Sequence, residues 1–266
     1  MLRQTFSAAA AVAVAAAVLV GCGKTDSTSS DKGAAARRAT VSAGATASPA
    51  ATRTRPPTTG PAVSQLSFTY HRHSGNDYID QTLQIHNSDT RSLVPELSFT
   101  AVDRHHHVLP GVRVRTAYGS DTGRLVAPYG YSLDILRFSG PGQHQVYDVR
   151  VAVRRLSVAR QRANIHEVTV QPLNAAGHAV SKFSRFTAVQ VSNPDRFAVT
   201  IRLAYLVYDQ PAPGNTQQAT SVTPIGGLVR IPASGTATVQ VTGAAAKAVA
   251  ESSNGPAVSV KTYNSQ

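Results

Sequence analysis

Leu83-Gln84-Ile85-His86-Asn87-Ser88-Asp89 returns 106 residues later as Val189-Gln190-Val191-Ser192-Asn193-Pro194-Asp195. Each copy alternates aliphatic and polar side chains, the period-two pattern of a half-buried strand. Each then closes on Asn-x-Asp, whose side chains bond nearby backbone and so favour a turn. At the same offset Leu97, Phe99 and Asp103 fall on Leu203, Tyr205 and Asp209. Ala127-Pro128-Tyr129-Gly130 and Ile231-Pro232-Ala233-Ser234-Gly235 each lead into a further strand-like run. A period of about 100 residues exceeds solenoid repeats and matches one antiparallel sandwich.

The expected fold is therefore all-β: two tandem Ig-like antiparallel β-sandwiches, 63–163 and 164–266, after a disordered tether. Short runs rich in β-branched and aromatic residues, separated by turn formers, predict strands over 64–70, 78–86, 94–103, 112–117, 131–138 and 147–153. In the second copy they predict 167–173, 185–191, 198–208, 219–229, 236–241 and 257–263. Residues 244–251 could form a short crossover helix, and no βαβ alternation is present. Strand parity puts Leu97, Phe99 and Ala101 on one inner face and Ile201, Leu203, Tyr205 and Val207 on another. Asp103 and Asp209 then close their strands at turns.

Ala204-Tyr205-Leu206-Val207-Tyr208-Asp209 is similar to the Tyr-Asp strand end of the FxLYD-type Ig-like modules of secreted bacterial proteins. In that family a turn follows and a later Pro-Gly precedes the next strand. The first copy departs from it, with Val102-Asp103 and no tyrosine. The resemblance implies a fold, and such folds host many functions.

The other end of the chain carries an address. Arg3 precedes residues 8–20, made entirely of Ala, Val and Leu, and the run ends at Leu19-Val20-Gly21-Cys22. A short basic region and an apolar run of this length read as a secretory leader, too short for a permanent span of about 20 residues. Leu19-Val20-Gly21-Cys22 resembles the lipobox of bacterial lipoproteins. The resemblance implies cleavage between Gly21 and Cys22, with 1–21 as signal peptide. It also implies a diacylglycerol on the Cys22 thiol, with acylation of the new amino terminus as a further step. The chain would then sit on the outer face of the cytoplasmic membrane. A single acyl chain holds only marginally, and two or more hold stably. Cys22 is the only cysteine, so internal disulfides are excluded.

Residues 22–62 hold Ser, Thr, Ala, Gly and Pro with no aromatic side chain. They cannot bury enough surface to offset the entropy of ordering and are expected to form a disordered tether. Pro49, Pro56, Pro57 and Pro61 favour an extended course in its second half. Six basic residues against Asp26 and Asp31 give the tether +4. A basic spacer through the cell wall fits this scatter better than a dedicated lipid-binding patch.

The whole chain carries +12, with 26 basic and 14 acidic residues. Such a surface favours anionic partners. No nucleic-acid motif occurs, so the expected partners are the membrane, through the lipid, and an envelope protein or anionic wall polymer. Arg113, Arg115, Arg150, Arg154 and Arg155 are the candidate binding residues, concentrated in the first copy with its 12 basic and 8 acidic side chains. Charge on an edge strand that wards off aggregation is the plainer reading of the same residues.

Seven of nine histidines also lie in the first copy. His71 and His73 share a strand face, and His105 and His107 sit in a turn after Asp103, so these four are the candidate metal ligands. A defined site needs three or four convergent ligands, and no His-Glu-x-x-His helix is present. The expectation is therefore no metal and no cofactor beyond the lipid. Gly-x-Ser-x-Gly, Ser-x-x-Lys and paired carboxylates near histidine do not stand out in the sequence. A non-catalytic, lipid-anchored binding or scaffold protein is the expected function. A metal-handling or hydrolytic envelope protein on the same fold is the alternative.

Overall fold

The computed structural model describes residues 60–73, 79–212, 215–252 and 257–266, all within one compact unit. The leader, Gly21, Cys22 and the tether through residue 59 lie outside the described residues. Twelve strands and one helix follow: β1 (Leu66–His71), β2 (Thr82–Asn87), β3 (Leu93–Val102), β4 (Arg113–Thr116), β5 (Gly130–Ser139) and β6 (Asp148–Val158). Then come β7 (Thr169–Leu173), β8 (Ala188–Ser192), β9 (Val199–Tyr208), β10 (Ala219–Ile231), β11 (Thr236–Gln240), α1 (Gly243–Ser252) and β12 (Val258–Asn264). Each run that alternation marked as a strand overlaps one of these twelve. The single helix falls on the short alanine-rich stretch, where it crosses from β11 to β12.

All pairing is antiparallel, in a β-sandwich architecture. The first half pairs in the order β1-β2-β5-β4 opposite β3-β6, and the second in the order β7-β8-β11 opposite β10-β9-β12. The order β1-β2-β5 thus recurs as β7-β8-β11, and β3-β6 as β9-β12. The fourth strand breaks the likeness. β4 joins β5, while β10 joins β9 in the facing sheet. β10 can bend because Gly226 takes a φ of +65° in its bulge, where a Cβ would lie 2.7 Å from Val239 Cγ1.

The repeated Asn-x-Asp turns are equivalent bond for bond. Asn87 Nδ2 donates to the carbonyls of Arg91 (2.9 Å) and Ala127 (3.1 Å), and the Asp89 amide donates to Asn87 Oδ1 (2.9 Å). Asn193 Nδ2 donates to Phe197 and Pro232 carbonyls (both 2.8 Å), and the Asp195 amide to Asn193 Oδ1 (3.0 Å). Both asparagines are buried. Asp103 differs from its partner at the 106-residue offset. Its Oδ1 caps a tight turn by accepting from the His105 and His107 amides, a geometry repeated by Asn174 with Ala176 and His178. Asp209 instead accepts from the Gln218 amide across the β9–β10 connection.

Two hydrophobic clusters fill the unit. Leu83, Ile85, Leu97, Leu136 and Phe138 belong to the first, and Val189, Val191, Ile201, Leu203 and Ile231 to the second. The inner-face parity of β3 and β9 holds: Leu97, Ala101, Ile201, Leu203 and Tyr205 are buried, with Phe99 and Val207 packed at the margins. What alternation does not reveal is the other face of β9. Ala204, Leu206 and Tyr208 pack into the first cluster, so this strand is buried on both sides.

A short segment also joins the halves through backbone. Leu93 and Ala127 exchange hydrogen bonds (2.8 and 2.7 Å), while the Val126 amide donates to the Asn264 carbonyl (3.1 Å) and the Gln266 amide to Arg124 (3.2 Å). Residues 124–127 therefore stitch the start of β3 to the end of β12. On β6, Val149 is buried and Val151 and Val153 pack on the first cluster, in agreement with parity. Tyr147, two residues before Val149, precedes the strand and is half exposed.

Candidate functional site

A cleft of about 920 Å³ opens between the N-terminal part of β5 and the strands β7 and β12. Tyr129, Tyr131, Leu133 and Ile165 line it, and these are four of the ten large apolar side chains left exposed in the described residues. Isolated exposed apolar residues are ordinary, whereas their concentration in one concavity makes it a candidate binding surface. His86, opposite Tyr131 across the β2–β5 pair, has its ring centroid 4.5 Å from that of Tyr131. Tyr118 and Tyr263 stack at 4.4 Å and 16° among the cleft residues. Burial raises both of their phenol pKa values.

The Tyr118 side of the cleft is held by Asp134, which is fully buried on β5. Its carboxyl accepts from the amides of Tyr118 (2.8 Å), Ser120 (3.0 Å) and Ile135 (2.7 Å). Burial pushes its pKa up to about 6, against the opposing pull of those hydrogen bonds. The Ile165 side is held by Asp195. Its Oδ2 accepts from the Ile165 amide (2.7 Å), and its Oδ1 meets His166 Nδ1 at 2.6 Å. Burial alone would raise Asp195, but these hydrogen bonds outweigh it and its pKa is lowered. The connection between the halves is thereby pinned to the second Asn-x-Asp turn. Neither Asp134 nor His166 stands out in the sequence. The signal that was there is Asp195 itself, the last residue of the repeated motif.

The candidate arginines divide between two sheets. Arg113 and Arg115 lie on β4 at the edge of the four-stranded sheet, both exposed. Arg115 stands directly opposite Arg137 of β5. Arg137 is tied down, donating from Nε to the Ala219 carbonyl (2.7 Å) and from Nη2 to Thr220 (2.6 Å). Burial and then the charge of Arg115 lower its pKa. Like charges directly opposite on a sheet repel, and among the described residues no carboxylate forms an ion pair with Arg113, Arg115 or Arg137.

Arg150, Arg154 and Arg155 are exposed on β6, in the facing sheet. There the register slips: Glu96 faces Arg155, Leu97 faces Val153, and Arg154 is the extra residue of a bulge. The bulge brings both arginines to Glu96, Arg155 at 3.1 Å and Arg154 at 3.7 Å. Arg150 Nη2 donates to the His106 carbonyl at 3.0 Å.

The histidine candidates are exposed. His71 ends β1, and His73 Nδ1 lies 3.7 Å from Asp80 Oδ2. The rings of His105 and His107 are 6.0 Å apart, with His107 Nδ1 3.5 Å from Asp103. Among the described residues no group of three or more His, Cys, Asp and Glu side chains is placed to hold a metal ion.

No family model, no curated protein and no solved structure matches this chain.

Proposed function

We propose that this chain is a lipid-anchored, non-catalytic binding protein that engages an anionic partner outside the cytoplasmic membrane, with Cys22 as the lipid-bearing residue. The observation that supports it most directly is the uncompensated pair Arg115–Arg137, with Arg113 two residues away on the same strand face. An incoming phosphate or carboxylate relieves the repulsion that the fold leaves in place. Arg137 is held by two backbone carbonyls, so little side-chain freedom is lost on binding. Arg154 and Arg155 contribute less, because Glu96 already neutralises part of their charge.

The test uses the chain from residue 22 with Cys22→Ser, presented to polyglycerol phosphate and to phosphatidylglycerol vesicles at low and high salt. Binding is expected at low salt, falling steeply as ionic strength shortens the screening length to about 8 Å. Arg113→Glu with Arg115→Glu should weaken it about tenfold or more, and Arg154→Glu with Arg155→Glu by less. Equal binding by the first double variant, or no binding at low salt, would overturn the proposal.

A further inference from the structure

We infer that the cleft between β5 and β12 is a docking site for an extended acidic peptide, which adds as a strand to the bare edge of β5. β5 pairs with β2 from Gly130 to Ile135, but with β4 only from Leu136 to Ser139. The last bond on the β4 side is the Ala117 amide to the Ile135 carbonyl, at 2.8 Å. Antiparallel pairing sends alternate backbone groups to opposite edges. The Leu136 amide donates to Gln81, on the β2 side, so even-numbered residues serve β2 and odd-numbered ones the β4 side. The amides and carbonyls of Tyr131 and Leu133 therefore face an edge with no strand partner among the described residues.

That edge opens into the cleft, and the same two residues supply its apolar wall, Tyr131 being 64 % and Leu133 48 % exposed. A peptide strand laid there gains main-chain bonds and a surface for alternate apolar side chains, as in other cases of strand addition. Charge selects the remaining side chains. Lys182 and Lys261 line the cleft, and neither forms an ion pair among the described residues, while Glu167 is the single acid of the lining. The occupant is thus an extended peptide with acidic side chains between apolar ones. This site is separate from the β4 arginines and does not depend on them.

The probe is acetyl-Thr-Val-Glu-Val-Glu-Val-Thr-amide, titrated into the ¹⁵N-labelled chain from residue 22 with Cys22→Ser. Saturable shifts are expected at the Tyr131 and Leu133 amides. A peptide N-methylated at alternate residues, which keeps its side chains but loses donors on one edge, should bind about tenfold more weakly in one of its two phases. Replacing the glutamates by lysines should weaken it as well. Leu133→Pro deletes an amide that serves only the open edge, so it should abolish binding while leaving thermal stability close to the parent. Should that variant fold poorly, the N-methylated peptides make the same test from the ligand side.

No shift at Tyr131 and Leu133 at millimolar peptide would overturn the inference. So would equal binding of both N-methylated phases, or shifts produced instead by a chito-oligosaccharide. Concentration-dependent shifts at these amides without peptide would assign the edge to a second copy, and shifts lost on deleting 22–59 would assign it to the tether; either result overturns the peptide reading. Arg113→Glu with Arg115→Glu should leave peptide binding unchanged, so failure here and failure of the polymer-binding proposal are distinguishable.

Discussion

Asn87→Ala removes a side chain that is fully buried and makes three hydrogen bonds, two donated to carbonyls and one accepted from the Asp89 amide. Each such bond contributes about 1 kcal/mol net, and a buried donor left unmade costs about 1–3 kcal/mol. The Ala127 carbonyl keeps a partner, since it also accepts from the Leu93 amide at 2.8 Å. The Asp89 amide has no such substitute and bears the penalty. The expected loss is about 3–5 kcal/mol, a large share of the roughly 5–15 kcal/mol of a typical domain. For a chain of this size it should lower the melting temperature by about 6–20 °C. Urea unfolding of the Cys22→Ser chain, with the midpoint and slope fitted for parent and variant, measures it. Asn193→Ala removes equivalent bonds, and the Pro232 carbonyl likewise keeps a second donor, the Gly235 amide at 3.3 Å. Its cost should agree within about 1 kcal/mol. A loss below about 1 kcal/mol at either site, or a wide disparity between the two, would refute the view that these turns are equivalent clamps.

Other substitutions read other parts of the molecule. Leu206→Ala lies in the second half of the chain but vacates space in the first core, and should cost about 2–5 kcal/mol by denaturant titration; little effect would mean that this face of β9 is not buried. Asp134 has a pKa raised to about 6, so the native state holds its proton more tightly than the unfolded chain does. Its contribution to stability is complete below about pH 4 and is lost as pH rises through 6. Asp134→Asn should therefore be most costly near pH 4.5 and least costly near pH 7.5, and an equal cost at both would sink the assignment. Asp195 has the opposite sign: its lowered pKa gives stability above about pH 4 that disappears in acid, and His166→Ala should shift the acid unfolding midpoint upward. Cys22→Ser should abolish metabolic lipid labelling and release the protein from membranes, and a variant that still sediments with membranes after a high-salt wash would contradict the lipobox reading.

Alternation located the strands because a sheet with one wet face writes its period directly into the chain, as at Leu83–Asn87 and Val189–Ser192. It could not say what covers the second face. In β9 the run Ala204-Tyr205-Leu206-Val207-Tyr208 is continuously apolar, a mark of burial on both sides, yet its odd-numbered residues alone accounted for one sandwich. The departure of β4 from the position of β10 was equally hidden, since edge pairing depends on bends such as that at Gly226 rather than on polarity. The five arginines were legible as exposed charge. That Arg154 and Arg155 meet Glu96, while Arg113 and Arg115 stay uncompensated beside Arg137, depends on register and a bulge, which one-dimensional spacing does not encode. The cleft was invisible for a related reason. Tyr131 and Leu133 fall in a strand-like run, and nothing in that run shows that β4 stops short of them and leaves their edge unpaired.

The doubly buried strand also bears on how the halves relate as parts. A unit whose outer face is water-soluble can be cut out, moved to another chain or lost without harm to its neighbour. Once Leu206 and Tyr208 face another core, the second half alone would present that apolar face to solvent, and the first half alone would have a hole in its packing. Neither half is therefore a portable module: the first core is completed only by Ala204, Leu206 and Tyr208 of the second half, and the first half is what keeps those side chains from water.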